Sequence, residues 1–202
     1  MKNEEGLRNL CKTWYRKARQ VSPARVRGLT RNRLVERFAE FGLDEGAEIG
    51  VDTGRFSLKM LNANPDLKLL CVDPWNTRAQ RPIRTGDARF AEATKRLAGG
   101  RATLVRNFSV EASADVPDQS LDFVYIDGDH RFGPVMKDIL FWLPKIRYGG
   151  IIAGHDYYRW RGAGVVNAVD AYTQAHDVHE WFVTDEKRGS WFWVKDTAHV
   201  PV

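Results

Sequence analysis

Glu48-Ile49-Gly50-Val51-Asp52-Thr53-Gly54-Arg55-Phe56-Ser57 decides how the rest of the chain is read. An apolar approach reaches an acidic residue, then two glycines spaced around Val51-Asp52-Thr53. A helical pattern follows through Ser57, Leu58, Met60 and Leu61. The stretch predicts a buried strand that ends in a tight turn and launches a helix. Glycine has no Cβ, so Gly50 and Gly54 open the backbone of such a turn to a ligand. The free N–H groups at the helix start suit an anionic group.

Outward from this turn, strands and helices alternate. Strands are expected over 46–51, 67–73, 102–106, 121–127 and 150–154, with helices over 54–63, 87–98, 110–114, 133–142 and 165–175. Two closing runs, 180–184 and 190–195, flank Asp185-Glu186-Lys187-Arg188-Gly189 and read as a hairpin. The pattern is that of an α/β protein with a Rossmann-like, doubly wound, mostly parallel sheet and an antiparallel strand at its end. Residues 1–43 are expected as a helical cap on a main domain of 44–202. One helix over 6–20 carries Leu7, Leu10 and Trp14 on one face, and Ser22-Pro23 ends it. A second, over 30–41, carries Leu34, Val35, Phe38 and Phe41 and stops at Gly42. Residues 74–86 are expected as a loop rich in polar and basic groups: Asn76, Arg78, Gln80, Arg81 and Arg84.

At 202 residues, 43% hydrophobic and 28% charged, the chain has the size and balance of one soluble globular domain. No apolar run approaches the roughly 18 residues that a membrane span needs. The opening MKNEEGLRNLCK is acidic and lacks an apolar core, so a secretory signal is not expected. Cys11 and Cys71 read as reduced thiols in a cytoplasmic setting. The net charge of +5 owes much to Lys12, Arg16, Lys17, Arg19, Arg25, Arg27, Arg31 and Arg33. Such a cluster fits a solvated face, an anion-attracting patch or a nucleic-acid groove.

In open sheets of this kind, ligands bind beyond the carboxyl ends of the strands. Those ends carry Glu48, Asp73-Pro74-Trp75, Asn107-Phe108-Ser109, Asp127-Gly128-Asp129-His130 and His155-Asp156-Tyr157. A carboxylate at Asp73, at the end of the second strand, suits the two hydroxyls of a ribose; the alternative is a helix-capping aspartate. Trp75 either flanks a flat base or plugs the sheet edge. Ser109 touches a base edge, caps the helix starting at Val110, or does both. The turn lacks the middle glycine of G-x-G-x-x-G, and Asp52 in its place repels a pyrophosphate by charge. No G-x-x-x-x-G-K-[ST] loop is present either. A ligand with a base, a ribose and a cationic amino-acid tail fits better, with Glu48 or Asp52 facing its positive charge.

The blocks Glu48-Ile49-Gly50-Val51-x-x-Gly54-x-Phe56-Ser57, Cys71-Val72-Asp73-Pro74-Trp75, Tyr125-Ile126-Asp127-Gly128-Asp129-His130 and Gly149-Gly150-Ile151-Ile152-Ala153-Gly154-His155-Asp156-Tyr157 together resemble the class I S-adenosylmethionine-dependent methyltransferases. Within that class, the chain is similar to the small-molecule branch called methyltransferase family 24, related to the macrocin and catechol O-methyltransferases. The resemblance covers residues 44–195. It implies a seven-stranded sheet whose last strand is antiparallel. It implies Glu48, Gly50 and Ser57 beside the methionine part of the donor, with Gly54 counted among the donor-binding residues. Asp73 then lies on its ribose, Ser109 lies near its adenine, and Trp75 and Asp127 are counted among the donor-binding residues. In metal-dependent relatives, the positions matching Asp127, His155 and Asp156 hold Mg²⁺. A nitrogen ligand at His155 departs from the oxygen donors that Mg²⁺ prefers and shifts the choice toward Mn²⁺ or Zn²⁺.

Methyl transfer from a sulfonium needs an aligned acceptor and a group that removes its proton. His130 and His155 are the candidate bases, with Asp127, Asp129 or Asp156 to orient the ring. A divalent metal is the alternative means of activating the acceptor. Asp127-Gly128-Asp129-His130 also reads as a plain turn with capping aspartates. His176, His179 and His199 lack such neighbours and are expected at the surface. Tyr157, Tyr158, Trp160 and Arg161 form an acceptor wall or an ordinary packed loop. The expected reaction is O-methylation of a small hydroxylated molecule, by a protein that is free to form a homo-oligomer. The competing readings are a nucleic-acid-binding protein or nucleic-acid methyltransferase using the basic N-terminal region, and a donor-binding relative that hydroxylates. No Asn-Pro-Pro-Tyr or Asp-Pro-Pro-Tyr motif for base amino groups is present.

Overall fold

The computed structural model describes residues 2–75 and 83–196. Arg78, Gln80 and Arg81 of the expected basic loop, and His199, lie outside the described residues. In chain order the elements are α1 (Glu4–Lys17), β1 (Ala24–Val26), α2 (Arg31–Glu40), β2 (Glu45–Ile49), α3 (Arg55–Ala63), β3 (Lys68–Val72), α4 (Ile83–Arg96) and β4 (Ala102–Val105). They continue with α5 (Ser109–Ser113), β5 (Leu121–Ile126), α6 (Phe132–Trp142), a 3₁₀ turn over Leu143–Lys145, β6 (Ile146–Gly154), α7 (Val165–Ala175), β7 (Trp181–Thr184) and β8 (Trp191–Val194).

The strands form one sheet in the order β1-β7-β8-β6-β5-β2-β3-β4. β4, β3, β2, β5 and β6 run parallel, and β8 is antiparallel to both β6 and β7. The sheet thus has eight strands rather than the seven expected. The extra strand is β1, which pairs parallel with β7 through Ala24–Phe182, Arg25–Val183 and Val26–Thr184. An unpaired β7 would present open N–H and C=O groups at the sheet edge, and the N-terminal segment covers them. That segment is therefore not purely helical.

Alternation along the central strands divides the core between two faces. Phe123, Tyr125, Ile151, Ala153, Phe182 and Phe192 face α1, α2 and α3, where Leu7, Cys11, Leu34, Phe38 and Met60 are buried against them. Val124, Ile126, Ile152, Val183, Trp191 and Trp193 face α6 and α7, meeting Val135, Ile139, Trp142, Val169 and Tyr172. Trp14 of α1 sets its ring edge against Phe182 at 5.9 Å and Phe192 at 6.1 Å, which ties the N-terminal helix to the sheet. Both cysteines are buried, and burial pushes the Cys11 thiol up to about 12, with Glu180 adding to the effect. No helix among the described residues is long and apolar enough to cross a membrane.

At the amino ends of the strands, Asp122 acts as a hub. Its fully buried carboxylate accepts from Lys2 Nζ and Arg147 Nε at 2.6 Å and from the backbone N–H groups of Asp44 and Glu45. Burial alone would raise its pKa, but the Lys2 and Arg147 hydrogen bonds outweigh burial and hold it below the ordinary value. Asp122→Ala removes the buried acceptor of Lys2, of Arg147 Nε and of two N–H groups, with Glu4 left as the partner of Arg147. It is expected to cost about 3 kcal/mol, read from denaturant unfolding. A carboxyl with a lowered folded pKa stabilises above its unfolded pKa and stops doing so as pH falls through the folded value. The cost of the substitution should therefore shrink on acidification below about pH 4.

Candidate active site

Register decides what meets at the carboxyl ends of the strands. Glu48 stands beside Cys71 and Tyr125, Ile49 beside Val72 and Ile126, and Ile126 beside Gly154. The next residue of each strand, Gly50, Asp73, Asp127 and His155, consequently emerges at one edge.

The turn after β2 needs its two glycines for different reasons. Gly50 has φ +94°, and a Cβ there would lie 2.2 Å from the Asp127 carbonyl oxygen. Gly54 has φ +74° and is the N-terminal cap of α3. Glu48 is fully buried, and its carboxylate accepts from Ser57 Oγ. Burial raises the Glu48 carboxyl to about 8, against the opposing effects of Ser57 and Arg31. Asp73 accepts from the N–H of Asp52 at 2.9 Å and of Trp75 at 2.8 Å, so it also braces the turn. Burial raises its pKa, and those N–H groups only partly offset the rise. Asp52 is exposed and pairs with Arg89 of α4.

Trp75 is 2% exposed; its Nε1–H donates to the Asp52 carbonyl at 2.7 Å and its ring meets Phe90 edge-on at 4.8 Å. The ring thus packs between the glycine turn and α4. The cap of α5 is Phe108, not Ser109. The Ser109 hydroxyl accepts from Trp142 Nε1 at 2.8 Å and bonds Asp138, a carboxyl that burial raises to about 6.

Asp127, His130, His155 and Asp156 form a second cluster beside the turn. The Asp127 N–H donates to the Ile49 carbonyl at 2.7 Å, which locks this exit of β5 to the glycine turn. Asp127 Oδ1 lies 3.5 Å from His130 Nε2 and 3.8 Å from His155 Nδ1. Asp156 adopts a left-handed backbone (φ +58°), which folds its buried carboxylate back toward both rings. Its Oδ2 is 3.2 Å from His130 Nε2 and its Oδ1 is 3.3 Å from His155 Nδ1. The Asp127 carboxylate raises the His130 pKa against burial, and Asp156 adds to the rise. Burial would raise Asp156, but the neighbouring imidazoles outweigh it and hold the carboxyl low. Asp129 instead pairs with Arg131, at 3.0 and 2.5 Å, outside the cluster.

One ligand atom each from Asp127, His130 and Asp156 lies within 4.8 Å of the others. His130 thus joins the two aspartates where His155 was expected, and His155 stands alongside. His130 Nε2 and Asp156 Oδ1 are buried and close no hydrogen bond of good geometry, their charged neighbours standing 3.2 and 3.3 Å away. A cavity bounded by Asp127, Asp129, His130, Val135, His155 and Trp191 opens at this point. Trp160 sets its ring edge on His130 at 5.5 Å and stacks on Tyr158 at 4.3 Å. The Arg188 guanidinium lies 5.3 Å over the Tyr158 ring. Tyr157 turns away, donating to Asp170 at 2.6 Å. His179 is exposed and His176 is half-buried against Tyr172.

Arg31 also enters this site, and no motif in the sequence points to it. Its Nη2 donates to Asp127 Oδ2 at 2.7 Å, and its guanidinium lies 3.5 Å over the Phe56 ring. In the sequence it is one of many basic residues, and only the docking of α2 over the turn brings it here.

Comparison with known proteins agrees with this architecture. A candidate rRNA methylase from Clostridium thermocellum superposes with a TM-score of 0.60 at 16% identity, covering 79% of this chain and 94% of that one. A candidate caffeoyl-CoA O-methyltransferase from Staphylococcus aureus gives 0.64 at 14% identity, covering 96% and 93%. A precorrin-6y C5,15-methyltransferase from Geobacter metallireducens gives 0.58 at 15%, covering 86% and 94%. At these identities the likeness establishes the fold. Uncharacterized protein R132 of Acanthamoeba polyphaga mimivirus is 27% identical over 121 residues, or 56% of this chain and 52% of that protein. The chain thus spans about half the length of the curated relative it matches. The model of a family described as a methyltransferase domain, Methyltransf_24, matches residues 47–157.

Proposed function

From the premise that the chain belongs to this methyltransferase-domain family, and is thereby an S-adenosylmethionine-dependent methyltransferase, we propose that it methylates an oxygen of a small hydroxylated molecule. A divalent cation held by Asp127, His130 and Asp156 assists. The observation that carries the reading is the convergence of those three side chains beside the glycine turn, with His130 Nε2 and Asp156 Oδ1 buried and outside any well-formed hydrogen bond. Buried polar atoms without a well-formed hydrogen bond are costly, and two carboxylates with an imidazole make a mixed oxygen–nitrogen donor set that Mn²⁺ accepts more readily than Mg²⁺. Such an ion lowers the pKa of an acceptor hydroxyl and orients it.

The chain's own residues do the rest. Glu48 and the turn around Gly50 receive the cationic amino-acid tail of the donor, and Asp73 receives the ribose hydroxyls. Trp160 and Tyr158 wall the acceptor side. The acceptor oxygen forms the new C–O bond as the methyl C–S bond breaks, and sulfur leaves as a neutral thioether. His155, outside the donor group, takes the acceptor proton.

Two outcomes test the reading. Chelation should lower turnover at least about a hundredfold and leave S-adenosylhomocysteine affinity within about threefold, with Mn²⁺ restoring the rate better than Mg²⁺. Turnover indifferent to chelation would remove the cation and leave the imidazoles alone as the activating groups. Products are read by mass: a gain of one methylene group supports transfer, and a gain of one oxygen atom contradicts it. A second expectation concerns Glu48. With its carboxyl raised to about 8, capture of an ammonium group must release a proton at neutral pH. Calorimetric affinity for S-adenosylhomocysteine should therefore rise from pH 6 to pH 8, by up to about tenfold per pH unit. Glu48→Gln should bind more weakly and lose that dependence.

A further inference from the structure

We infer that Arg31 is the group that binds the carboxylate of the donor's amino-acid tail. The inference rests on the donor-binding reading above and goes beyond it by assigning a residue outside the strand-end motifs. The tail of S-adenosylmethionine carries an ammonium and a carboxylate. The strand ends offer Glu48 and Asp73, which suit the ammonium and the ribose hydroxyls, and together with Asp127 they repel the carboxylate. A cation is needed among them, and Arg31 supplies it.

Its position is fixed on several sides. The first residue of α2, it follows the cap Thr30, whose hydroxyl accepts from the Arg33 N–H. The Arg31 N–H donates to Glu186 at 2.6 Å, anchoring the start of α2 to the β7–β8 hairpin. The guanidinium lies 3.5 Å over Phe56 and 5.0 Å from the Tyr125 ring centre, so its plane is held by stacking. Nη2 is bonded to Asp127, whereas Nε is buried and has no hydrogen-bond partner. A buried guanidinium N–H left unpaired is costly unless a ligand completes it. Phe56 belongs to the first turn of α3, which follows Gly54 with no side chain capping its N–H groups. A carboxylate placed there meets the Arg31 fork and those N–H groups together. Arginine suits this place better than lysine, because its planar fork can serve Asp127 and a second carboxylate at once.

The test is a double comparison by calorimetry: S-adenosylhomocysteine against its decarboxylated analogue, on the wild type, Arg31→Gln and Arg31→Lys. The wild type should bind S-adenosylhomocysteine at least about thirtyfold more tightly than the analogue. Arg31→Gln should lose about that factor for S-adenosylhomocysteine and less than about threefold for the analogue, with Arg31→Lys in between. Equal losses for both ligands would overturn the inference and leave Arg31 a counter-ion of Asp127. If Arg31→Gln does not fold, the wild type decides: discrimination below about threefold between the two ligands overturns the assignment. A folded wild type that binds neither ligand would remove the donor-binding reading itself, an outcome distinct from the loss of discrimination alone.

Discussion

Gly50→Ala is expected to destabilise the fold by about 3 kcal/mol or more and to abolish measurable binding of S-adenosylhomocysteine. Two effects add at this position. The backbone is left-handed, at φ +94°, where an L side chain is strained. The new Cβ would also lie 2.2 Å from the Asp127 carbonyl oxygen, 2.5 Å from its carbonyl carbon and 2.6 Å from Gly128 Cα. All three are backbone atoms at the exit of β5, so no side chain can rotate away to relieve the overlap. The β2–β5 pair would have to open at the glycine turn, beside Asp127. The control is Gly99→Ala, where a Cβ meets nothing within 4 Å. It should stay within about 0.5 kcal/mol of the wild type in denaturant unfolding. A Gly50→Ala protein as stable as the control would mean that β2 and β5 are not packed this closely.

Asp127→Asn is expected to lower kcat by about a thousandfold while changing S-adenosylhomocysteine affinity by less than about threefold. The amide keeps an oxygen able to accept from Arg31, so the donor side of the site stays assembled. It removes the negative charge facing His130 and His155 at 3.5 and 3.8 Å. Cation binding, read by titration with Mn²⁺, should fall in parallel with turnover. A large loss of donor affinity with kcat preserved would move Asp127 from the reaction to the donor pocket.

What the sequence made legible follows the length and regularity of the signals. The helix over 165–175 and the strand over 121–126 declare themselves through apolar runs that tertiary contacts only reinforce. β6 starts at Ile146 rather than near Gly150, because an irregularity lets Leu121 pair with Ile146 before Phe123 pairs with Ile151. Gly149, at φ +74°, reads in sequence as a break and is in fact accommodated inside the strand. β1 escaped notice because a three-residue strand between a proline and a glycine has no periodicity; it exists only because β7 offers it an edge.

The candidate site divides in the same way. Residues that end strands, from Glu48 to Asp156, can be placed by counting, since parallel register brings them to one edge. The choice between His130 and His155 as partner of the two aspartates cannot be counted. Asp156 lies 3.2 Å from one ring and 3.3 Å from the other, so the choice rests on how each side chain packs and not on strand register. Arg31 was hidden for a related reason: it arrives from a helix whose sequence pattern describes only the packing of Leu34, Val35 and Phe38.

The proposed division of labour at the strand ends, with the donor held at β2 and β3 and the chemistry at β5 and β6, is tested most directly by titrating S-adenosylhomocysteine into the wild type and Asp73→Asn. Saturable binding by the wild type, weakened at least about thirtyfold by the substitution, is the predicted result. Equal affinities for the two proteins, or no binding by the folded wild type, would contradict it.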